Sequence, residues 1–263
     1  MTKIIWLSDL HYVRDGTVQG HDPRLRLTAA IDHINAHHAD ADFCVISGDI
    51  VDRATTEDYA AVAAALRLLA IPVHPMVGNH DDRALFRDHL PLPSTCMNDF
   101  VQFAVPTPDG LLICLDTLMV GSDTGEVCAE RQAWLQDTLE NAGDAPVYVF
   151  MHHPPHALGL PMQDADRIGK GEDLLNLLSG FPNVQHLFIG HVHRAIAGTV
   201  NGIPFTTIKS ALYQAPAPHP AWDWSSFKPA KEAPTLGVIT IQDGSFAIHF
   251  NEFCNWCFGV NTP

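Results

Sequence analysis

The sequence predicts an α/β protein: a pair of mixed β-sheets flanked by helices. Three observations carry that reading. Short apolar runs alternate with amphipathic stretches of helical length through most of the 263 residues. Beyond residue 190 the alternation gives way to strands joined by turns. Polar residues able to do chemistry recur just past the apolar runs, where ligand sites of α/β sheets gather.

In chain order, residues 4–7 are a first strand. Residues 24–38 are a helix with Leu27, Ile31, Ile34 and His38 on one face. Residues 43–46 are a strand, and 55–70 a helix with Thr55 and Asp58 as capping pair and Tyr59, Val62, Leu66 and Leu69 on its buried face. A strand over 73–77 and a short helix over 82–89 follow. The second half repeats the habit: strand 111–116, helix 129–142 closed by Gly143, strand 147–151, helix 172–178 stopped by Gly180 and Pro182, strand 184–189. Residues 203–208, 236–241 and 245–250 read as antiparallel strands, with Asp243-Gly244 as one turn. A loop rich in Pro and Trp occupies 215–234. The chain thus divides into a core over 1–215 and a C-terminal β/loop extension over 216–263 that completes the sheet.

A hydrophobic content of 46% in a chain of this length is enough for one large domain. The net charge of −15, from 15 basic and 30 acidic residues, argues against nucleic-acid polymers and anionic membranes as partners. It leaves a phosphate substrate open, because bound divalent ions reverse the local sign. Residues 1–6 run straight into a strand without a leader pattern, and no apolar run reaches the roughly 18 residues of a spanning helix. The expectation is a cytoplasmic protein without stable membrane insertion. His33, His37, His38 and His89 read as solvated. Cys44 and Cys114 read as buried thiols, and the lone Cys254-x-x-Cys257 as packing, with no disulfide inferable.

Five strand ends carry the chemistry. Asp9 and His11 leave the first strand as alternate residues and can clasp one ion together. Asp49 follows Gly48, which lets the backbone turn beside a ligand, and its two oxygens can bridge two ions roughly 3.5 Å apart. Asp52 suits a supporting or helix-capping role. Asn79 offers a neutral amide oxygen, and His80 beside it can face the substrate and move a proton. His152 is taken as a ligand in preference to His153, and His191 and His193 again alternate. Imidazole donors suit iron, manganese, zinc or cobalt.

Asp9-x-His11, Gly48-Asp49-x-x-Asp52, Gly78-Asn79-His80-Asp81, His152 and Gly190-His191-x-His193 together resemble the signature of the calcineurin-like metallophosphoesterases, over about residues 3–215. The wording of 78–86, 112–117 and 151–155 resembles the bacterial branch of glycerophosphodiesterases and class III cyclic-nucleotide phosphodiesterases. The resemblance implies a four-layer αββα sandwich with a dinuclear centre at the C-terminal strand ends. It implies that Asp9, His11, Asp49 and His193 hold one ion, and Asp49, Asn79, His152 and His191 the other. It further implies attack on phosphorus by a hydroxide between the ions, assisted by His80, with Asn79, His80 and His193 touching substrate.

The expected activity is hydrolysis of a small phosphodiester, a glycerophosphodiester or a 3′,5′-cyclic nucleotide. Phosphomonoester hydrolysis, phospholipase C-like headgroup release and a non-enzymatic binding platform are the rivals. Arg14, Arg53, Arg83 and Arg194 are the cations near the motifs, and no basic track for a polymer is visible. Trp222-Asp223-Trp224 and residues 253–260 are apolar for their surroundings; they cover the mouth, pair with a second subunit as a homo-oligomer, or pack in the core.

Overall fold

The computed structural model describes residues 1–260; the last three residues of the 216–263 extension lie outside that range. Two sheets face each other. The first has five strands in the order β11 (Ser245–Glu252), β10 (Thr235–Gln242), β1 (Thr2–Leu7), β2 (Phe43–Ser47) and β3 (Val73–Met76). The second has six: β4 (Phe103–Thr107), β5 (Gly110–Leu115), β6 (Val147–Met151), β7 (Val184–Ile189), β9 (Ile203–Thr207) and β8 (Ala197–Val200). In the first sheet β1, β2 and β3 run parallel; in the second β5, β6, β7 and β9 do.

Side-chain alternation sorts the layers. Leu112, Cys114, Tyr148, Phe150 and Phe188 of the second sheet point to the first, into the larger core. There Trp6 packs edge-on against Phe150 and Phe188, with ring centroids 6.0 and 5.3 Å away. The intervening residues Ile113, Leu115, Val147, Val149, Met151, Leu187 and Ile189 point outward. They meet Leu135 and Leu139 of α4 (Ala129–Ala142) and Leu174, Leu175 and Leu178 of α5 (Gly171–Ser179). The first sheet is covered by α1 (Pro23–His37), through Leu27, Ile31 and Ile34, and by α2 (Thr56–Leu66), through Tyr59, Val62 and Leu66. The four αββα layers follow.

Helix ends are set locally. Asp22 caps α1 by accepting from Arg24 N at 2.9 Å, with Pro23 in the first turn. Thr55 caps α2, accepting from Asp58 N at 3.1 Å and donating to Asp58 Oδ2 at 2.8 Å. Asp82 caps α3 (Arg83–His89), and Gly143 closes α4.

The structure departs from expectation in four places. Helix α2 stops at Leu66 rather than 70, and Leu69 is buried from the turn beyond it. β9 lies parallel to β7 and antiparallel only to β8, since a short apolar run carries no direction. β4, β8 and a 3₁₀ turn over Gln163–Asp166 were not read from the sequence. Among the four expected solvated histidines only His37 is exposed; His33, His38 and His89 are half-buried. The extension is integral: β10 sits between β1 and β11. Residues 253–260 fold onto the start of α1, where Asp22 N donates to Gly259 O at 2.6 Å and Arg26 reaches Cys254 Sγ at 3.4 Å. All six cysteines are free. No helix among the described residues is long and apolar enough to cross a membrane.

Candidate metal centre

Loops leaving the parallel strands β1, β2, β3, β6 and β7 converge at one edge of the two sheets. Asp9 N donates to Gly48 O at 3.1 Å and His11 N to Asp49 O at 2.9 Å, tying the first two loops together. The backbone here is unusual. Asp9, His11, Asp49, His191 and His193 all adopt positive φ, between 42° and 68°. That conformation is costly for residues with a Cβ and clusters at functional sites. These side chains all fall within the donor groups that converge here. Gly48, at φ +98°, makes its turn against the His152 ring, and a Cβ there would run into Nδ1. At Gly78 a Cβ would run into the Asp49 carboxylate.

The donors form two groups that meet at Asp49. In one, His11 Nε2 lies 3.1 Å from His193 Nε2, and His193 Nε2 lies 3.4 Å from Asp9 Oδ1. In the other, Asn79 Oδ1 lies 3.1 Å from His152 Nε2 and 3.2 Å from His191 Nδ1. Asp49 Oδ2 is 3.5 Å from His11 Nε2 and 3.4 Å from His152 Nε2. All seven expected ligands are thus brought together.

Proton positions decide what these contacts mean. His152 Nδ1 faces Ser47 O at 2.8 Å and His193 Nδ1 faces Tyr213 O at 2.9 Å. A carbonyl only accepts, so each Nδ1 carries the proton and each neutral ring presents a bare Nε2 inward. Lone pairs facing lone pairs at 3.1 to 3.4 Å, with carboxylate oxygens among them, need a cation. The spacings are those of ligands sharing ions bonded at about 2.0–2.2 Å. The residues therefore fit two metal ions. The titration behaviour agrees. Burial works against a charge on His152, yet Asp49 and then Asp9 outweigh it and carry the pKa up to about 9. The place attracts positive charge, and without metal a proton supplies it.

Support comes from side chains behind the donors. His11 Nδ1 leans toward Asp52 Oδ1 at 3.4 Å, which gives Asp52 an orienting place and not a helix cap. Asp81 accepts from Gly78 N at 2.9 Å, Ile50 N at 3.1 Å and the Tyr59 hydroxyl at 2.8 Å. It binds two ligand loops to each other, a role the sequence reading missed. His153 meets Thr117 Oγ1 through Nδ1 at 2.8 Å, while its ring stays 4.7 Å from that of His191 and groups with His152 and His191. His80 groups with His11 and Asp49 as well; its backbone N–H donates to Asp49 Oδ1 at 3.0 Å, and its ring Nδ1 donates to Asp52 O at 2.9 Å. Desolvation opposes a charge on His80, but Asp49 and the Asp52 carbonyl raise its pKa above the ordinary value.

A cavity of about 410 Å³ opens over the donors, and its lining includes His11, Asp49, Asn79, His80, His191 and His193. The four expected arginines do not line it. Arg83 is spent on Asp116, Arg194 on Ala215 O and Glu232, Arg14 on Asp15, and Arg53 lies toward Asp52. The rest of the lining comes mostly from loops that carry no periodic signal, among them Asp123, Gln163, Asp166, Tyr213, Trp224 and Phe227; Tyr213 packs 4.5 Å from the His193 ring and Asp123 accepts from Asn79 at 3.4 Å.

The family model of calcineurin-like phosphoesterases matches residues 2–195. The chain belongs to that family. This calcineurin-like phosphoesterase, a hydrolase of phosphate esters, is 33% identical over 258 residues to a probable cyclic nucleotide phosphodiesterase of Rhodopseudomonas palustris, covering 95% of this chain and 92% of that one. It is 32% identical over 192 residues to a glycerophosphodiester phosphodiesterase of Enterobacter lignolyticus, covering 72% and 69%. Among solved structures a dimetal phosphatase from Danio rerio superposes with a TM-score of 0.74 at 15% identity, covering 97% of both chains. At that identity the likeness speaks for the fold alone.

Proposed function

We propose that this phosphoesterase hydrolyses small soluble phosphodiesters, a glycerophosphodiester or a 3′,5′-cyclic nucleotide, with the help of two metal ions. The observation that carries the reading is the Asp49 carboxylate, whose Oδ2 lies within 3.5 Å of imidazole nitrogens from both donor groups. Asp9, His11, Asp49 and His193 would hold one ion; Asp49, Asn79, His152 and His191 the other. The mixture of imidazole and oxygen donors suits iron, manganese, zinc or cobalt. Bound there, such ions would supply Lewis acidity: a water of lowered pKa and compensation of phosphoryl charge.

The chain's own residues do the rest. Asn79, His80 and His193 line the cavity, which supports them as the residues that would touch the phosphoryl oxygens. His80, anchored through Nδ1 to Asp52 O, keeps its other nitrogen for the cavity, and its raised pKa suits it to hold a proton for the departing alcohol. A cavity of about 410 Å³ without a lining Lys or Arg supports a small substrate and no nucleic-acid polymer. The loop over 215–234 brings Trp224 and Phe227 to the mouth, which supports the 216–263 extension as a cap on the 1–215 core. Exposed Trp256 and Phe258 support a homo-oligomer contact, and six free thiols a cytoplasmic location. The test is hydrolysis of bis-p-nitrophenyl phosphate against p-nitrophenyl phosphate by metal-reconstituted protein, with metal content measured. Faster diester turnover and about two ions per chain are expected; turnover confined to the monoester overturns the reading.

A further inference from the structure

Away from the metal centre the chain gathers a second set of imidazoles. His33 and His37 stand one helical turn apart on α1, so their side chains lie on one face, with ring centroids 4.7 Å apart. His38, the residue that ends the helix, adds a third ring, 5.6 Å from His33 and 6.5 Å from His37. Asp42 N donates to Lys3 O at 2.8 Å, which sets the end of α1 beside the start of β1; the donors of the metal centre follow the other end of that strand.

Two of these rings are left incomplete by their surroundings. His33 Nε2 and His38 Nδ1 are buried atoms with no hydrogen-bond partner among the described residues. Orphaned nitrogens of this kind are rare in folded proteins, and a bound ion is one of the few things that satisfies them. His38 Nε2 meets the side-chain amide of Asn251, on β11, at 3.4 Å. With the amide oxygen turned toward it, Nε2 donates and Nδ1 keeps a lone pair. Burial, and after it the neighbouring His37, holds the His33 pKa below the ordinary value; burial and then Lys3 do the same for His38. Both rings are therefore neutral near pH 7 and able to ligate. The Lys3 ammonium is itself paired with Asp40 Oδ1 at 2.5 Å, and the carbonyl end of α1 favours positive charge.

We propose that His33, His37 and His38 form a separate metal site, at the junction of α1 and β11, for one transition ion of the zinc, nickel or copper(II) class. Two imidazoles one turn apart on a helix are a spacing that chelates zinc, and all-imidazole sets suit these ions. His37 is exposed, and its ring closes the set by turning about its own side-chain bonds toward the other two; water fills the remaining position. The ion would fasten the end of α1 to the sheet edge through His38 and Asn251. The proposal is independent of the phosphodiesterase reading.

The test is calorimetric titration of zinc into the metal-loaded enzyme, wild type beside His33→Ala and His37→Ala. The wild type should take up about one further ion per chain with a Kd of about 10 µM. Each variant should weaken that uptake by about tenfold or more. Turnover of bis-p-nitrophenyl phosphate should stay within about twofold of the wild type in both, since the two sites are remote from each other. Excess zinc should also raise the Tm of the wild type by about 5 °C and leave that of His37→Ala unmoved, because an ion that binds only the folded chain stabilises it. His37 is exposed, so His37→Ala decides the matter even if His33→Ala fails to fold. Uptake no tighter than about 1 mM beyond the catalytic ions, or equal uptake by wild type and His37→Ala, overturns the proposal. If the further ion binds and the histidine variants lose it while no diester is hydrolysed, this site stands and the functional reading falls.

Discussion

Asp49 and Asp116 occupy matching places, each just beyond a buried parallel strand, β2 in one sheet and β5 in the other, and their company differs. Asp116 receives Arg83 Nε at 2.6 Å and Nη2 at 2.7 Å, Val101 N at 2.8 Å and Leu118 N at 3.0 Å, with Arg131 Nη1 at 3.4 Å. Its charge is offset by cations that belong to the protein. Asp49 receives one backbone N–H, from His80, and otherwise faces imidazole nitrogens, two of them on rings whose other nitrogen already donates to a carbonyl or leans on Asp52. Both carboxylates are buried. Burial therefore does not separate a structural ion pair from a metal site; what separates them is whether a fixed cation lies in reach.

Breaking each side in turn sharpens this contrast. Asp49→Ala should empty both ion sites and lower kcat by more than about a thousandfold, since both donor groups lean on that carboxylate; metal analysis and turnover of bis-p-nitrophenyl phosphate check it. Asp116→Ala should leave Arg83 without its counter-ion and Arg131 with Glu126 alone, and cost about 3–5 kcal/mol of unfolding free energy, read by chemical denaturation. If Asp49→Ala unfolded the protein and Asp116→Ala emptied its metals, the contrast would be inverted. His80→Ala should keep both ions and lower kcat by about a hundredfold, as loss of an assisting proton donor does; loss of metal instead would make His80 a ligand. Asp52→Asn should be milder, about tenfold in metal affinity or activity, because it only releases the hold on His11. Chelator titration of the variant measures that shift.

The donor side was legible in the sequence because its residues follow apolar runs, with a glycine or an alternating partner marking the turn. Asp9-x-His11 and Gly48-Asp49 announce themselves in that way. The rest of the cavity lining was not legible. Asp123, Gln163 and Asp166 sit in loops with no period, and Trp224 was noted only as apolar for its neighbourhood. Arg83 shows the limit from the other direction: near the motifs in sequence, it is consumed by Asp116 in space. The helices were legible through their caps and buried faces, whereas β4 and β8, half-buried or exposed, carry too weak a pattern to be read. Strand direction in β9 depends on a partner that only the fold supplies.

The two hydrogen-only positions, Gly48 and Gly78, widen the set of genetic lesions that silence this enzyme. Neither contributes an atom to an ion, yet one added methyl at either would press on His152 or Asp49 as directly as deleting the donor itself. A saturation screen scored by activity should therefore rank alanine at these glycines beside the loss of a ligand, and an engineer seeking to re-aim the centre has no room to do it from behind.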